Sequence, residues 1–268
     1  MSVIKYKAGF IGCGNMGGTL ARAAAKKLGG ASVAVCDSDP AKAEAVRNEY
    51  GTDVLDIRTI AGSCEYLFLG VKPQVMDSVV SSFADVISGR RDITVVTMAA
   101  GLGISYISSL TGGCRVIRIM PNTPALAGEG MILCSPGEGA GEAYTDGLKE
   151  ILSLAGRIDV IPEKLIDAAS ALSGCGPAYA YIFCEALADG AVECGVPRDK
   201  AVEYAAQTLL GSAKMVLEQG NPGRLKDNVC SPGGTTIAGV HALESKGFRS
   251  AAMDAVVSAY KRTLELKK

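Results

Sequence analysis

Up to Pro162 the chain alternates short apolar runs with stretches whose apolar positions recur every three or four residues. Ala8–Ile11 reads as a strand, followed directly by Gly12-Cys13-Gly14-Asn15-Met16-Gly17. Met16, Leu20, Ala24 and Leu28 then mark one face of a helix, which Gly29-Gly30 ends. Ala31–Cys36 reads as a second strand. Asp39 offers an N-cap and Pro40 a first-turn residue for the next helix, which Gly51 closes. Further strands are predicted at Tyr66–Val71, Ile93–Met98, Cys114–Met120, Met131–Cys134 and Arg157–Ile161. Strands that are apolar throughout must be covered on both faces, so the pattern predicts an α/β fold with a mainly parallel, doubly wound sheet.

Beyond Pro162 no strand pattern remains. Helices are expected at Glu163–Ser173, Pro177–Cys194, Arg198–Gln219, Thr235–Ser245 and Phe248–Leu266. This change sets a domain boundary at residues 162/163, giving a sheet domain over 1–162 and an all-helical domain over 163–268. No flexible Gly/Ser linker separates them, and no internal repeat or low-complexity segment is evident. The stretch from Ala168 to Cys184 carries no charge. It is short of a bilayer span and is broken by Ser173-Gly174-Cys175-Gly176-Pro177, so it reads as a buried helix pair.

Composition adds exclusions. A net charge of −1, with acids and bases interleaved, gives no basic surface for nucleic acid or an anionic membrane. The nine cysteines form no C-x-x-C pair and His241 is the only histidine, so no metal site is predicted. Cys36, Cys134 and Cys184 lie in apolar runs, as reduced cysteines do, and the first residues lack the pattern of a secretory signal; both point to the cytoplasm.

The glycines at 12, 14 and 17 satisfy G-x-G-x-x-G between a predicted strand and a predicted helix, the setting a dinucleotide-binding Rossmann motif requires. Gly12 permits the tight turn and Gly14 lets the backbone approach a pyrophosphate. Gly17 lets helix and strand pack closely, while Asn15 and Met16 open the helix whose free N–H groups favour the anion. Asp37 stands twenty residues after Gly17, where an acid can bind the adenosine ribose hydroxyls. Two readings of Asp37-Ser38-Asp39 stand side by side, ribose binding and helix capping, and Lys42 is the nearby cation for a 2′-phosphate. NADPH or NADH therefore both remain open. Val71-Lys72-Pro73, Ala99-Ala100-Gly101 and the Asn122 turn after Met120 all follow strand ends, where open α/β sheets bind ligands.

A second concentration of chemistry is Leu225-Lys226-Asp227-Asn228-Val229-Cys230-Ser231-Pro232-Gly233-Gly234-Thr235-Thr236-Ile237. Small polar side chains and backbone N–H groups precede a helix there and suit a carboxylate without an Arg. With this turn included, the chain resembles the pyrroline-5-carboxylate reductase family over essentially its whole length. The resemblance rests on GFIGCGNMG (9–17), VKP (71–73), AAG (99–101) and RIMPNTPA (118–125). It continues through SGCGPAYAY (173–181), ADGAVECGVPRDKA (188–201), LLGSAKMVLE (209–218) and LKDNVCSPGGTTI (225–237).

The resemblance implies NAD(P)H-dependent reduction of a cyclic imino acid to L-proline. It also implies a helical domain that makes a homodimer, active sites built across that dimer, and dimers that associate into a ring. By the same resemblance Lys72, Pro73, Ala99 and Ala100 lie along the cofactor. Asn228, Ser231, Gly234, Thr235 and Thr236 hold the substrate carboxylate and ring nitrogen. Asp37-Ser38-Asp39 departs from the Ser- or Arg-containing turn of most relatives. For Thr236 a donor to the ring nitrogen and a mere helix cap are both open.

Two rivals are weighed. A β-hydroxyacid dehydrogenase needs a Lys on the helix after the Gly-rich turn at 174–176, but no Lys occurs from Leu165 through Val196. A non-catalytic nucleotide sensor has no use for the polar residues from Asn228 to Thr236. His241 lies a turn beyond them.

Overall fold

The computed structural model describes residues 4–266. The first half follows the order β1 (Tyr6–Ile11), α1 (Asn15–Leu28), β2 (Val33–Cys36), α2 (Pro40–Tyr50), β3 (Asp53–Val54) and α3 (Ile57–Ser63). It continues with β4 (Cys64–Leu69), α4 (Met76–Ser81), α5 (Ala84–Ile87), β5 (Thr94–Thr97) and α6 (Ile104–Leu110). The sheet is completed by β6 (Arg115–Met120), β7 (Gly130–Pro136), α7 (Glu142–Ile151) and β8 (Gly156–Val160). Among the described residues only helices follow: α8 (Glu163–Ser173), α9 (Gly176–Glu193), α10 (Arg198–Gln219), α11 (Pro222–Asn228), α12 (Thr235–Ser245) and α13 (Phe248–Glu265).

The strands form one eight-stranded sheet in the order β3-β2-β1-β4-β5-β6-β7-β8. Every pairing is parallel except β6 with β7, where Ile117 to Met120 run against Pro136 to Leu133. This is the doubly wound sheet the apolar runs predict, with an antiparallel turn-back near one edge. Two cores cover its faces. One gathers Phe10, Leu20, Phe68 and Leu148; the other gathers Leu67, Leu69, Phe83 and Ile107. Phe10 and Phe68 stack across β1 and β4 with ring centroids 4.3 Å apart.

Some boundaries differ from the sequence reading. Residues 30–32 form a short 3-10 turn, so β2 starts at Val33. The predicted strand over Tyr66–Val71 stops at Leu69, because Gly70 turns toward the glycine loop. β3 is two residues long, too short to leave a pattern.

The chain divides into two compact units, one over Met1–Gly174 plus Tyr260–Lys268, the other over Cys175–Ala259. The contact break thus falls one helix later than the change from strands to helices at Pro162. α8 stays with the sheet because Arg118 on β6, only 3% exposed, bonds Asp167 of α8 at 2.8 Å and Glu163 at 3.4 Å. Glu163 also accepts the Ile104 N–H at 2.7 Å, tying in the start of α6.

The helical unit has a small buried centre, Ala188, Ala201 and Ala205, where α9 meets α10. Tyr181, Ile182, Leu217, Val229 and Met253 stay more than 60% exposed. Among the described residues no helix is long and apolar enough to cross a membrane, and no group of three or more His, Cys, Asp or Glu is placed to hold a metal.

Candidate functional site

The strand order reverses at β1, whose neighbours β2 and β4 belong to opposite halves of the sheet. Ligands of open α/β sheets sit at such a switch point, beyond the carboxyl ends of the strands. Gly12 lies there. Its N–H donates to Cys36 O at 2.8 Å, and its φ of +98° is one that L side chains rarely adopt. A Cβ on Gly17 would come to 2.1 Å from Gly12 O, so α1 can approach β1 only as glycine.

Gly14 differs in kind. Nothing lies within 4 Å of where its Cβ would be, so the backbone there faces open space. It is also the N-cap of the 14-residue α1, with no side chain capping the helix; the first helical bond runs from Gly18 N–H to Gly14 O at 2.8 Å. The N–H groups of Asn15, Met16 and Gly17 therefore lack intrahelical partners and point out at the positive end of the helix dipole. An open backbone with uncapped donors fits a dinucleotide pyrophosphate.

The carboxylate of Asp37, just past β2, is held from two sides. Oδ2 accepts the Cys13 N–H at 2.6 Å, and Oδ1 accepts the Asp39 N–H at 2.8 Å and the Ser38 hydroxyl at 3.4 Å. The cap of α2 is Asp39, which accepts the Ala41 N–H at 3.1 Å. Asp37 is thus not the helix cap; it binds the β2 turn to the glycine loop. Burial, then the charge of Asp37, pushes the Cys13 and Cys36 thiols up to about 12, so both stay neutral and unreactive.

The other predicted wall residues follow β4, β5 and β6, parallel neighbours that end on the same edge as β1. Val71 is half-buried, Lys72 and Ala100 are exposed, and Ala99 is buried with Pro73 partly covered. Asn122, expected beside the cofactor, has its side-chain amide engaged within the fold. Its side chain turns inward, with Nδ2–H donating to Ser173 O at 2.8 Å and Oδ1 accepting Met131 N–H at 2.8 Å. The amide fastens the end of β6 to β7 and to the end of α8. Gly70 was missed: its N–H donates to Ile11 O at 2.8 Å, and a Cβ on it would meet Gly12 O at 2.7 Å. The signal was there, a glycine at the end of an apolar run.

In the helical unit, Asn228 ends α11 and Ser231 opens a turn through Gly233, whose φ is +66°. Gly234 is the N-cap of α12 and no side chain caps that helix. Thr235 and Thr236 are its first two residues and both are exposed. Thr236 is accordingly not a cap. The Gly234 N–H, expected to face the substrate carboxylate, donates to Ser231 O at 3.0 Å. The donors open to an anion lie one residue on, at Thr235, Thr236 and Ile237, while Ser231 Oγ packs where a Gly234 Cβ would be, 2.3 Å from it. His241 is exposed on α12, beyond this first turn.

Comparison with known proteins gives the same picture. Residues 163–266 match the family profile described as pyrroline-5-carboxylate reductase dimerisation, and residues 7–101 match one described as NADP oxidoreductase coenzyme F420-dependent. The pyrroline-5-carboxylate reductase of Escherichia coli (strain K12) is 40% identical over 271 residues, covering 99% of this chain and all of its own. This chain belongs to the pyrroline-5-carboxylate reductase family. A solved pyrroline-5-carboxylate reductase from Coxiella burnetii superposes with a TM-score of 0.91 at 29% identity, over 98% of this chain and 99% of that one. A Plasmodium falciparum pyrroline carboxylate reductase with NADP bound gives 0.82, also at 29%, over 97% and 98%. A pyrroline-5-carboxylate reductase thus shares both units of this fold, and the glycine loop and the 228–236 turn fall within the matched span.

Proposed function

We propose that this chain reduces 1-pyrroline-5-carboxylate to L-proline with NADPH or NADH, the last step of proline biosynthesis. The observation that carries this reading is full-length membership in a family of imine reductases, joined to an uncapped α12 start that can take a carboxylate. Residues 1–162 serve the dinucleotide, and 163–268 serve the substrate and dimerisation. Gly12, Gly14, Asn15, Met16 and Gly17 hold the pyrophosphate, Asp37 and Ser38 the adenosine side, and Val71, Lys72, Pro73, Ala99 and Ala100 line the cofactor.

A nicotinamide held there would supply hydride to the imine carbon. The chain's own residues handle the rest. Backbone N–H groups at the start of α12, with Asn228, Ser231 and Thr235, bind and orient the substrate carboxylate. The Thr236 hydroxyl donates to the ring nitrogen, the atom that gains a proton as the C=N bond becomes CH–NH. No strong base is needed, in keeping with the absence of Lys between Leu165 and Val196.

The exposed apolar faces of the helical unit support a homodimer, and the family resemblance supports a ring of such dimers in the cytoplasm. Purified protein mixed with pyrroline-5-carboxylate should consume reduced cofactor and accumulate L-proline. Cofactor binding with no proline formed would rule the reading out.

A further inference from the structure

The carboxylate of Asp37 is fixed, and its surroundings are acidic. Both oxygens are pinned by backbone donors on two different segments, Cys13 in the glycine loop and Asp39 in the β2–α2 turn. A carboxylate has about four lone-pair positions, so one held by these donors keeps capacity for a neighbouring diol. A phosphate at the same place finds the Ser38 hydroxyl, which already donates to Asp37 Oδ1 at 3.4 Å, and only a cation that is itself paired. Between Gly29 and Val46 the only basic residue is Lys42, and its Nζ lies 3.6 Å from Asp39 Oδ2. Arg22, on α1, is committed to Glu49 by two bonds of 2.8 and 2.9 Å. Asp37 and Asp39 against Lys42 leave one net negative charge in this turn.

From this we infer that Asp37 makes the chain select NADH over NADPH, by accepting the adenosine ribose hydroxyls and repelling a 2′-phosphate. The inference rests on the dinucleotide reading above and sharpens it. Its physical basis is preorganisation. A free surface acid could swing away from an incoming phosphate, whereas this one cannot move without breaking the Cys13 N–H bond that closes the glycine loop. The discrimination is therefore built into the geometry that receives the pyrophosphate.

The test uses the intact protein and two probes that carry no nicotinamide. In calorimetric titration 5′-AMP should bind at least about tenfold more tightly than 2′,5′-ADP, and the gap should narrow as salt screens the exposed charge. In turnover, kcat/KM should favour NADH by a similar factor. Asp37→Asn keeps an acceptor for Cys13 N–H and removes the charge. It should shift both ratios toward the phosphorylated form by about tenfold or more, with 5′-AMP binding weakened. A wild-type protein that binds 2′,5′-ADP as tightly as 5′-AMP overturns the inference even if Asp37→Asn fails to fold. An unchanged ratio in folded Asp37→Asn overturns it too. If neither fragment binds and neither cofactor turns over, the dinucleotide reading falls with it. Good turnover with no preference defeats only the choice of cofactor.

Discussion

At the scale of single residues the account turns on which side chains are spent on the fold and which are left for chemistry. Thr236 is exposed in the first turn of a helix capped by no side chain, so its hydroxyl is not engaged as a cap. Thr236→Ala should lower kcat/KM roughly 100-fold, the low end for groups that assist proton transfer, because imines are already partly protonated in water. Thr236→Ser should keep most activity. Full kcat/KM in the alanine variant would leave the proton to solvent alone. The thiols make a different prediction. Cys13, Cys36 and Cys64 are raised from 9.0 to about 12 by burial. An acid whose folded pKa lies above its unfolded value keeps its full stabilisation below the unfolded value and loses it as pH climbs toward the folded one. Their contribution to the melting temperature should thus be constant below pH 9 and fall between 9 and about 12. Thiolate absorbance from these residues should appear together with unfolding. Thiolate signal near pH 9 in native protein whose exposed Cys175 and Cys194 are replaced by Ser would contradict their burial.

At the scale of elements, the glycine loop and α8 show what a sequence can and cannot reveal. Gly17→Ala would place a methyl 2.1 Å from Gly12 O, pushing α1 off β1. We expect a loss of about 1–3 kcal/mol in stability, the usual cost of overpacking, and a larger loss in cofactor affinity. Unchanged affinity would show that the loop does not carry the cofactor. The Arg118–Asp167 pair is almost dry, with side chains 3% and 6% exposed. Asp167→Ala leaves the buried Arg118 with the longer Glu163 contact alone, at 3.4 Å, so it should cost up to about 3–5 kcal/mol in chemical denaturation. The glycine spacing and the strand, loop and helix around it were legible because turns, caps and apolar runs are local signals. The pairing of Arg118 with Asp167 was not, since it joins residues 49 apart that carry no shared motif. For the same reason the side-chain bonds of Asn122 to Ser173 and Met131 were invisible, since P-N-T-P carries no local sign of either partner.

At the scale of the molecule, periodicity was enough for the sheet and the all-helical remainder, because continuous apolar strands demand cover on both faces. It could not give the direction of β7, the two-residue β3 or the helix over Pro222–Asn228, whose polar residues read as loop. Nor could it show that α8 packs with the sheet, which depends on the buried Arg118. The helical unit leaves Tyr181, Ile182, Leu217 and Met253 largely exposed, more apolar surface than an isolated unit normally presents. We expect a dimer at micromolar concentration, with Ile182→Glu/Leu217→Glu weakening it, read by sedimentation. A monodisperse and fully active monomer would contradict this. The central claim, that the chain is an imine reductase, is tested most directly by label transfer. Reduced cofactor carrying two deuteriums at the nicotinamide C4 is turned over with pyrroline-5-carboxylate, and the L-proline is examined by mass spectrometry and NMR. The account predicts one deuterium per proline, on the ring carbon formerly double-bonded to nitrogen, with one cofactor oxidised for each product. Cofactor oxidised without labelled proline, or a label on any other carbon, would contradict it.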